Sequence, residues 1–222
     1  AIQHALSQGN VENIEPFLLV DWGGGAFNVA VYDVQLRQLR CLSALTDMSL
    51  GGQDIEYSFL LWLQGKTGLE ITESRIAKFK VRKSISAAIR DLTVADLAEV
   101  EADNLLDGEG ISCSVRQSEF NQMLQPLIAK AISHIHRTLA QASLDTRTVR
   151  QVVLLGGASR VPKFEAELEA LFCEPLDVTD TPTVGARARG RVERTLHREA
   201  SVVSGAALAS LACLRGDWWL GG

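Results

Sequence analysis

Three short glycine runs in the chain each follow an apolar stretch: Asp21-Trp22-Gly23-Gly24-Gly25, Leu50-Gly51-Gly52-Gln53-Asp54 and Leu155-Gly156-Gly157-Ala158-Ser159. Glycine lacks a Cβ, so it reaches positive φ and lets backbone N–H groups come close to an anion. A hairpin of glycines can cradle phosphates through those donors, and a Gly pair between a strand and a helix adds the positive end of the helix dipole. Taken alone, each run also reads as a plain tight turn. Asp21 ends an apolar run against the first turn, where a carboxylate either holds a hydrated magnesium ion through its water shell or caps the strand end. Arg160 follows the third run, and a guanidinium can stack on a purine or pair with a carboxylate. Arg82 and Lys83 come from a different stretch and either flank a nucleotide or form a solvated basic face.

The elements that position these residues follow from periodicity. Phe17-Leu18-Leu19-Val20 is the pattern of a buried strand, and Phe27 to Val34 follows the glycines as its hairpin partner. Gln38 to Leu45 supplies a third strand. The second glycine pair precedes a helix through Ile55, Phe59, Leu60 and Leu63, and a further helix runs from about Glu73 to Ala88. Leu97 to Ala102 and Ile111 to Val115 read as two strands joined by a turn at Asp107-Gly108-Glu109-Gly110. From Phe120 to Leu139 apolar residues recur every three or four positions, which marks a long amphipathic helix with Pro126 near its first turns as a point of bending. Val152 to Leu155 is a buried strand, and Pro162 sits at a favoured first position of the next helix. Residues 174 to 198 read as irregular, and a small-residue helix runs from about Glu199 to Leu214.

Composition bounds the function. The 222 residues are 46% hydrophobic and 22% charged, an ordinary globular balance. Lys and Arg number 22 against 27 Asp and Glu, a net charge of −5, which argues against nucleic acid as the main partner. The basic run Arg187, Arg189, Arg191, Arg194 and Arg198 reads as a solvated loop, with an anionic partner as the alternative. The longest apolar stretch, Val202 to Leu214, is too short to span a bilayer. Cys41, Cys113, Cys173 and Cys213 are far apart, which fits buried thiols in a reducing, cytoplasmic setting rather than zinc or a disulfide framework. His134 and His136 point to different helix faces and read as surface histidines. The chain opens Ala1-Ile2-Gln3-His4, without an initiator Met, and is expected to be a piece of something longer.

In order, these motifs resemble the ATPase domain of the 70-kDa heat-shock (DnaK-type) chaperone family, and within it lobe II of the actin-like, ribonuclease H-like fold. Asp21-Trp22-Gly23-Gly24-Gly25-Ala26-Phe27-Asn28-Val29 resembles the family's Asp-Leu-Gly-Gly-Gly-Thr-Phe-Asp-Val phosphate loop. Leu50-Gly51-Gly52-Gln53-Asp54 is similar to its Leu-Gly-Gly-Glu-Asp, and Arg82-Lys83-Ser84-Ile85-Ser86 to Lys-Arg-Thr-Leu-Ser on the helix covering the adenosine. Leu155 to Lys163 resembles the adenosine motif Val-Gly-Gly-Ser-Thr-Arg-Ile-Pro-Lys, and Gly205-Ala206-Ala207 the Gly-Ala-Ala of the closing helix.

The resemblance implies an α/β fold: a mixed sheet with flanking helices over residues 1–50 and 119–222, and a smaller inserted α+β subdomain over 51–118. It implies ATP or ADP held by Gly23, Gly24, Gly25, Gly52, Gly156, Gly157, Ser159 and Arg160, with Arg82, Lys83 and Ser86 on the adenosine side. Glu199 stands where the family has the Asp of a Pro-Asp-Glu-Ala stretch, and Asp21 would serve Mg2+. Implied partners are the absent lobe I, a peptide-binding domain, a nucleotide-exchange factor on 51–118 and a J-domain co-chaperone, in protein folding and the stress response. Ala26, Asn28, Gln53 and Phe79 replace the Thr, Asp, Glu and Glu of the family pattern, so backbone shape is kept better than side-chain chemistry. Phosphoryl transfer needs groups from all sides. This lobe alone is therefore expected to hydrolyse ATP no faster than a Gly51→Trp, Gly156→Trp control. The alternative is a non-enzymatic regulatory or co-chaperone module with weak or lost nucleotide binding.

Overall fold

The computed structural model describes residues 14–35, 38–106, 109–149, 151–172 and 191–194. Strand β1 (Ile14–Trp22) and β2 (Phe27–Gln35) form the expected hairpin around the first glycine run, and β3 (Gln38–Asp47) extends it. Helix α1 (Gly52–Thr67), a short 3-10 turn at Ile71–Glu73 and helix α2 (Arg75–Asp91) follow. Next come the hairpin β4 (Leu97–Leu106) and β5 (Glu109–Arg116), the long helix α3 (Gln117–Gln141) and strand β6 (Gln151–Leu155). Helix α4 (Pro162–Phe172) begins at its proline, and β7 (Arg191–Arg194) is the last described element. The 25-residue α3 continues through Pro126.

The strand order is β3-β2-β1-β6-β7, with β4-β5 as a separate two-stranded sheet. β6 lies parallel to β1, Asp21 opposite Leu155, so both strands end on the same edge of the sheet. As the centre of the sheet, β1 is apolar on both faces: Leu18, Val20 and Trp22 join the main core, while Phe17 packs with Val153 and Leu155 behind. The main core is continuous from the five-stranded sheet through α3 and α4 to α1, α2 and the β4-β5 hairpin. Trp22 is wholly buried, edge-on to Phe164 at 4.7 Å and Phe27 at 5.7 Å. Among the described residues no helix is long and apolar enough to cross a membrane.

Three expectations are corrected. Residues 191–194 are a strand, not irregular chain; Arg-Val-Glu-Arg has no strand pattern of its own and is held by parallel pairing to β6. Cys41 is exposed on the edge strand β3, and Cys113 is only half-buried. His134 is buried rather than on the surface: its ring faces Phe27, and Nε2 lies 2.7 Å from Asp47 Oδ2 at the end of β3. Lys130, one turn earlier on α3, reaches the same oxygen at 2.8 Å. Lys130 and His134, with Ser49, hold the Asp47 carboxyl well below the usual carboxylate range. The Glu199–Leu214 helix, Gly205-Ala206-Ala207 and the remainder of the arginine run lie outside the described residues.

Candidate functional site

The site is built where the three glycine runs meet. Parallel pairing brings the ends of β1 and β6 side by side, and Gly156 turns away with φ +78. A Cβ placed there would fall 2.7 Å from Asp21 Oδ1 and closer still to the Trp22 carbonyl. Gly156 is therefore a glycine for two reasons, the left-handed backbone and the absence of space. Ser159, fully buried, donates from Oγ to the Gly156 carbonyl at 2.7 Å, so its hydroxyl holds the turn in shape.

The second run closes on the first from the other side. Gly52 N–H donates to Gly23 O at 2.9 Å, and Gln53 N–H to Gly24 O at 2.8 Å. A Cβ on Gly51 would sit 2.5 Å from Gly24 O and 2.8 Å from Ala26 N. The first donors of α1 are thus spent on the hairpin backbone instead of facing outward, and Gly51 N–H is taken by Asp54 Oδ2. The Gly52 N–H that sequence reasoning assigned to phosphate already has a partner.

Gly24 and Gly25 differ from these. Both are exposed, neither has a positive φ, and a Cβ on either would meet nothing within 4 Å. No hydrogen bond from either N–H to another described residue is present. They form an exposed tip, beside the start of α1, of main-chain donors without a partner among the described residues. Asp21, half-exposed at the end of β1, faces Asn28 across the ladder and hydrogen-bonds to it. Burial raises the Asp21 pKa above the ordinary value, and the Asn28 amide only partly offsets this.

Residues expected on the adenosine side share one partner that sequence reasoning missed. Arg82 Nε lies 3.0 Å from Glu56 Oε2, and Ser86 Oγ donates to Glu56 Oε1 at 2.6 Å. Arg82 and Ser86 are one turn apart on α2, a spacing that presents two donors to one acceptor on a neighbouring helix; this was the available signal. Glu56 and Arg82, with Gln53, Tyr57, Lys78 and Ile85, line a shallow groove of about 230 Å³ between α1 and α2. Gln53 belongs both to this groove and to the hydrogen bonds with the hairpin, so groove and glycine tip adjoin. Lys83, Gly157 and Arg160 are exposed, and Phe79 is 81% exposed on α2. Glu199 lies outside the described residues. No group of three or more His, Cys, Asp or Glu gathers to cage a metal among the described residues. Asp21 as a lone carboxylate fits outer-sphere contact to a hydrated cation that phosphates also hold.

Comparison with known proteins gives a consistent result. The family model described as "Hsp70 protein" matches residues 2–189. A ribosome-associated molecular chaperone of Saccharomyces cerevisiae is 29% identical over 176 residues, 78% of this chain and 29% of the relative. The heat shock cognate 70 kDa protein 3 of Dictyostelium discoideum is 28% identical over 159 residues, 70% of this chain and 25% of that protein. A heat shock protein of Pyricularia oryzae is 28% identical over 176 residues, with the same coverage as the yeast protein. The chain therefore spans under a third of the length of the curated relatives it matches.

Proposed function

This chain belongs to the Hsp70 family, as a part of its actin-like ATPase domain, and from that premise we propose that it is a nucleotide-binding lobe of a divergent cytoplasmic chaperone. Gly24 and Gly25 carry the reading. Two adjacent residues keep no side chain where neither backbone conformation nor packing forbids one. The physical reason that fits is close approach of a ligand, and N–H groups of a hairpin turn that have no partner among the described residues select an anion.

In this reading the 24–25 tip holds the phosphates of ATP or ADP, Gly23 N–H being bonded to Ala26 O at 3.0 Å, and the 156–157 turn with Arg160 carries the nucleoside. Arg82 and Ser86, oriented through Glu56, flank the base and ribose from α2 together with Lys83. Magnesium, when bound, supplies charge neutralisation at the phosphates. Asp21 would hold its water shell. The nucleotide would lie between this lobe and lobe I, and closure would change the grip of a peptide-binding domain. An exchange factor on residues 51–118 and a J-domain protein are the partners expected. The unpaired hairpin donors support binding; the replaced Thr, Asp and Glu positions support slow turnover, and lobe I residues are needed for chemistry.

Titration calorimetry of the chain with ADP and magnesium tests this. Micromolar binding is expected, weakened at least tenfold in a Gly24→Ala, Gly25→Ala double variant. No heat at millimolar nucleotide would favour the regulatory module, for which Ala26, Asn28 and Phe79 speak. The double variant is also the sound control for hydrolysis, because Trp at 51 or 156 would collide with the backbone of 24–26 or of Trp22 and disrupt the fold.

A further inference from the structure

One cluster of charged groups lies outside the site. The carboxylate of Asp47 is hydrogen-bonded through both oxygens. Oδ1 accepts from Ser49 N–H at 2.8 Å and Ser49 Oγ at 2.8 Å. Oδ2 accepts from Lys130 Nζ at 2.8 Å and lies 2.7 Å from His134 Nε2. Lys130 also donates to Ser49 Oγ at 2.9 Å and to Ser49 O at 3.4 Å. Residues 47–49 are thereby clamped onto one face of α3, from which Lys130 and His134 project one turn apart. α3 is itself fixed to the sheet, where Ser43 Oγ donates to the Thr138 carbonyl at 2.7 Å.

The clamp ends two residues before Gly51, which has no room to move against 24–26. Slack at 47–49 would pass directly into the hydrogen bonds from Gly52 and Gln53 to the glycine tip. His134 adds a second observation. Its side chain is about nine-tenths buried, and Nδ1 has no hydrogen-bond partner among the described residues. A leucine would fill that place without leaving a buried polar atom unpaired. The imidazole therefore costs stability on one side of its ring, and its contact with Asp47 is what the structure gains.

We propose that Asp47, Lys130 and His134 are positioning residues: a strut from α3 that sets the glycine turn at 51–53, and through it the phosphate tip at 24–25, without touching a ligand. This rests on the nucleotide-binding reading for its second half only. The test is amide hydrogen exchange of the full chain without ligand, followed by Mg-ADP titration, on His134→Leu, Lys130→Met and His134→Gln. His134→Leu and Lys130→Met should speed exchange at Ser49, Gly52 and Gln53 at least fivefold, leaving β6 and α4 within twofold of wild type. His134→Gln places an N–H near the position of Nε2 and should restore protection. Lys130 is part-exposed, so its variant keeps the test open if His134→Leu does not fold. Unchanged exchange at 49–53, or acceleration spread evenly over the chain, would overturn the strut. Mg-ADP affinity should fall five- to twentyfold in both loosened variants and recover in His134→Gln. Loosened turns with unchanged affinity would overturn the positioning role. A wild-type chain that binds no nucleotide, with exchange behaving as described, would defeat the nucleotide reading and leave the strut standing.

Discussion

Gly51 and Gly156 on one side, and Gly24 and Gly25 on the other, are the same residue type within one site and for opposite reasons. The first pair is glycine because backbone from a distant segment occupies the place of a Cβ, and at Gly156 also because φ is positive. The second pair has free space and unexceptional φ. The packed glycines build the floor that brings three segments together, and the open ones present it. Loss of a packed glycine should be read in stability, and loss of an open one in binding.

The sharpest way to break this comparison is Gly156→Val. A β-branched residue at φ +78 facing the Trp22 carbonyl should cost about 4 kcal/mol or more, lowering Tm by about 10 °C or more for a chain of this size. A melting curve within a few degrees of wild type would mean that the 156 turn is not locked against β1. Next in size is the contrast between Gly51→Ala and the open pair. A Cβ at 51 must push the 24–26 backbone aside, at about 2–3 kcal/mol. Gly24→Ala and Gly25→Ala should stabilise by about 0.5 kcal/mol each, because they restrict only the unfolded chain. Opposite signs in denaturant midpoints would sharpen the distinction; equal losses at all three positions would erase it.

That distinction is invisible in the sequence, where the runs look alike. Much else was legible. Apolar runs either side of Gly23-Gly24-Gly25 announced the hairpin, the spacing from Phe120 to Leu139 announced α3, and Pro162 marked the start of α4. The motif order carried the family. What stayed hidden depends on partners far away in the chain. His134 is buried because Asp47, 87 residues earlier, meets it. Residues 191–194 are a strand because β6 offers an edge. Gly52 lacks a free N–H because Gly23 takes it. Periodicity reports which face of an element is apolar, but not which polar groups meet across the fold.

The smallest expected effect concerns Asp21, where the glycine floor adjoins the proposed ligand site. Burial raises the pKa of this carboxyl in the folded chain, so folding favours its neutral form. A carboxylate with a raised folded pKa weakens the fold once ionised: the penalty is absent below its ordinary pKa and grows as pH rises through the folded value. At neutral pH Asp21→Asn should therefore raise Tm, by about 1–2 °C because solvent screens a half-exposed group. The gain should shrink towards zero near pH 3–4, where the wild-type carboxyl is itself protonated. The same substitution should reduce the magnesium-dependent part of ADP binding, since the amide cannot hold a cation's water shell through charge. In the proposed reading, a carboxylate kept against Gly156 and beside the open tip would be matched by a cation that arrives with the phosphates. If Asp21→Asn lowers Tm at pH 7 and leaves the magnesium dependence intact, Asp21 is a strand-end cap, and the proposed phosphate tip would have to neutralise its ligand without it.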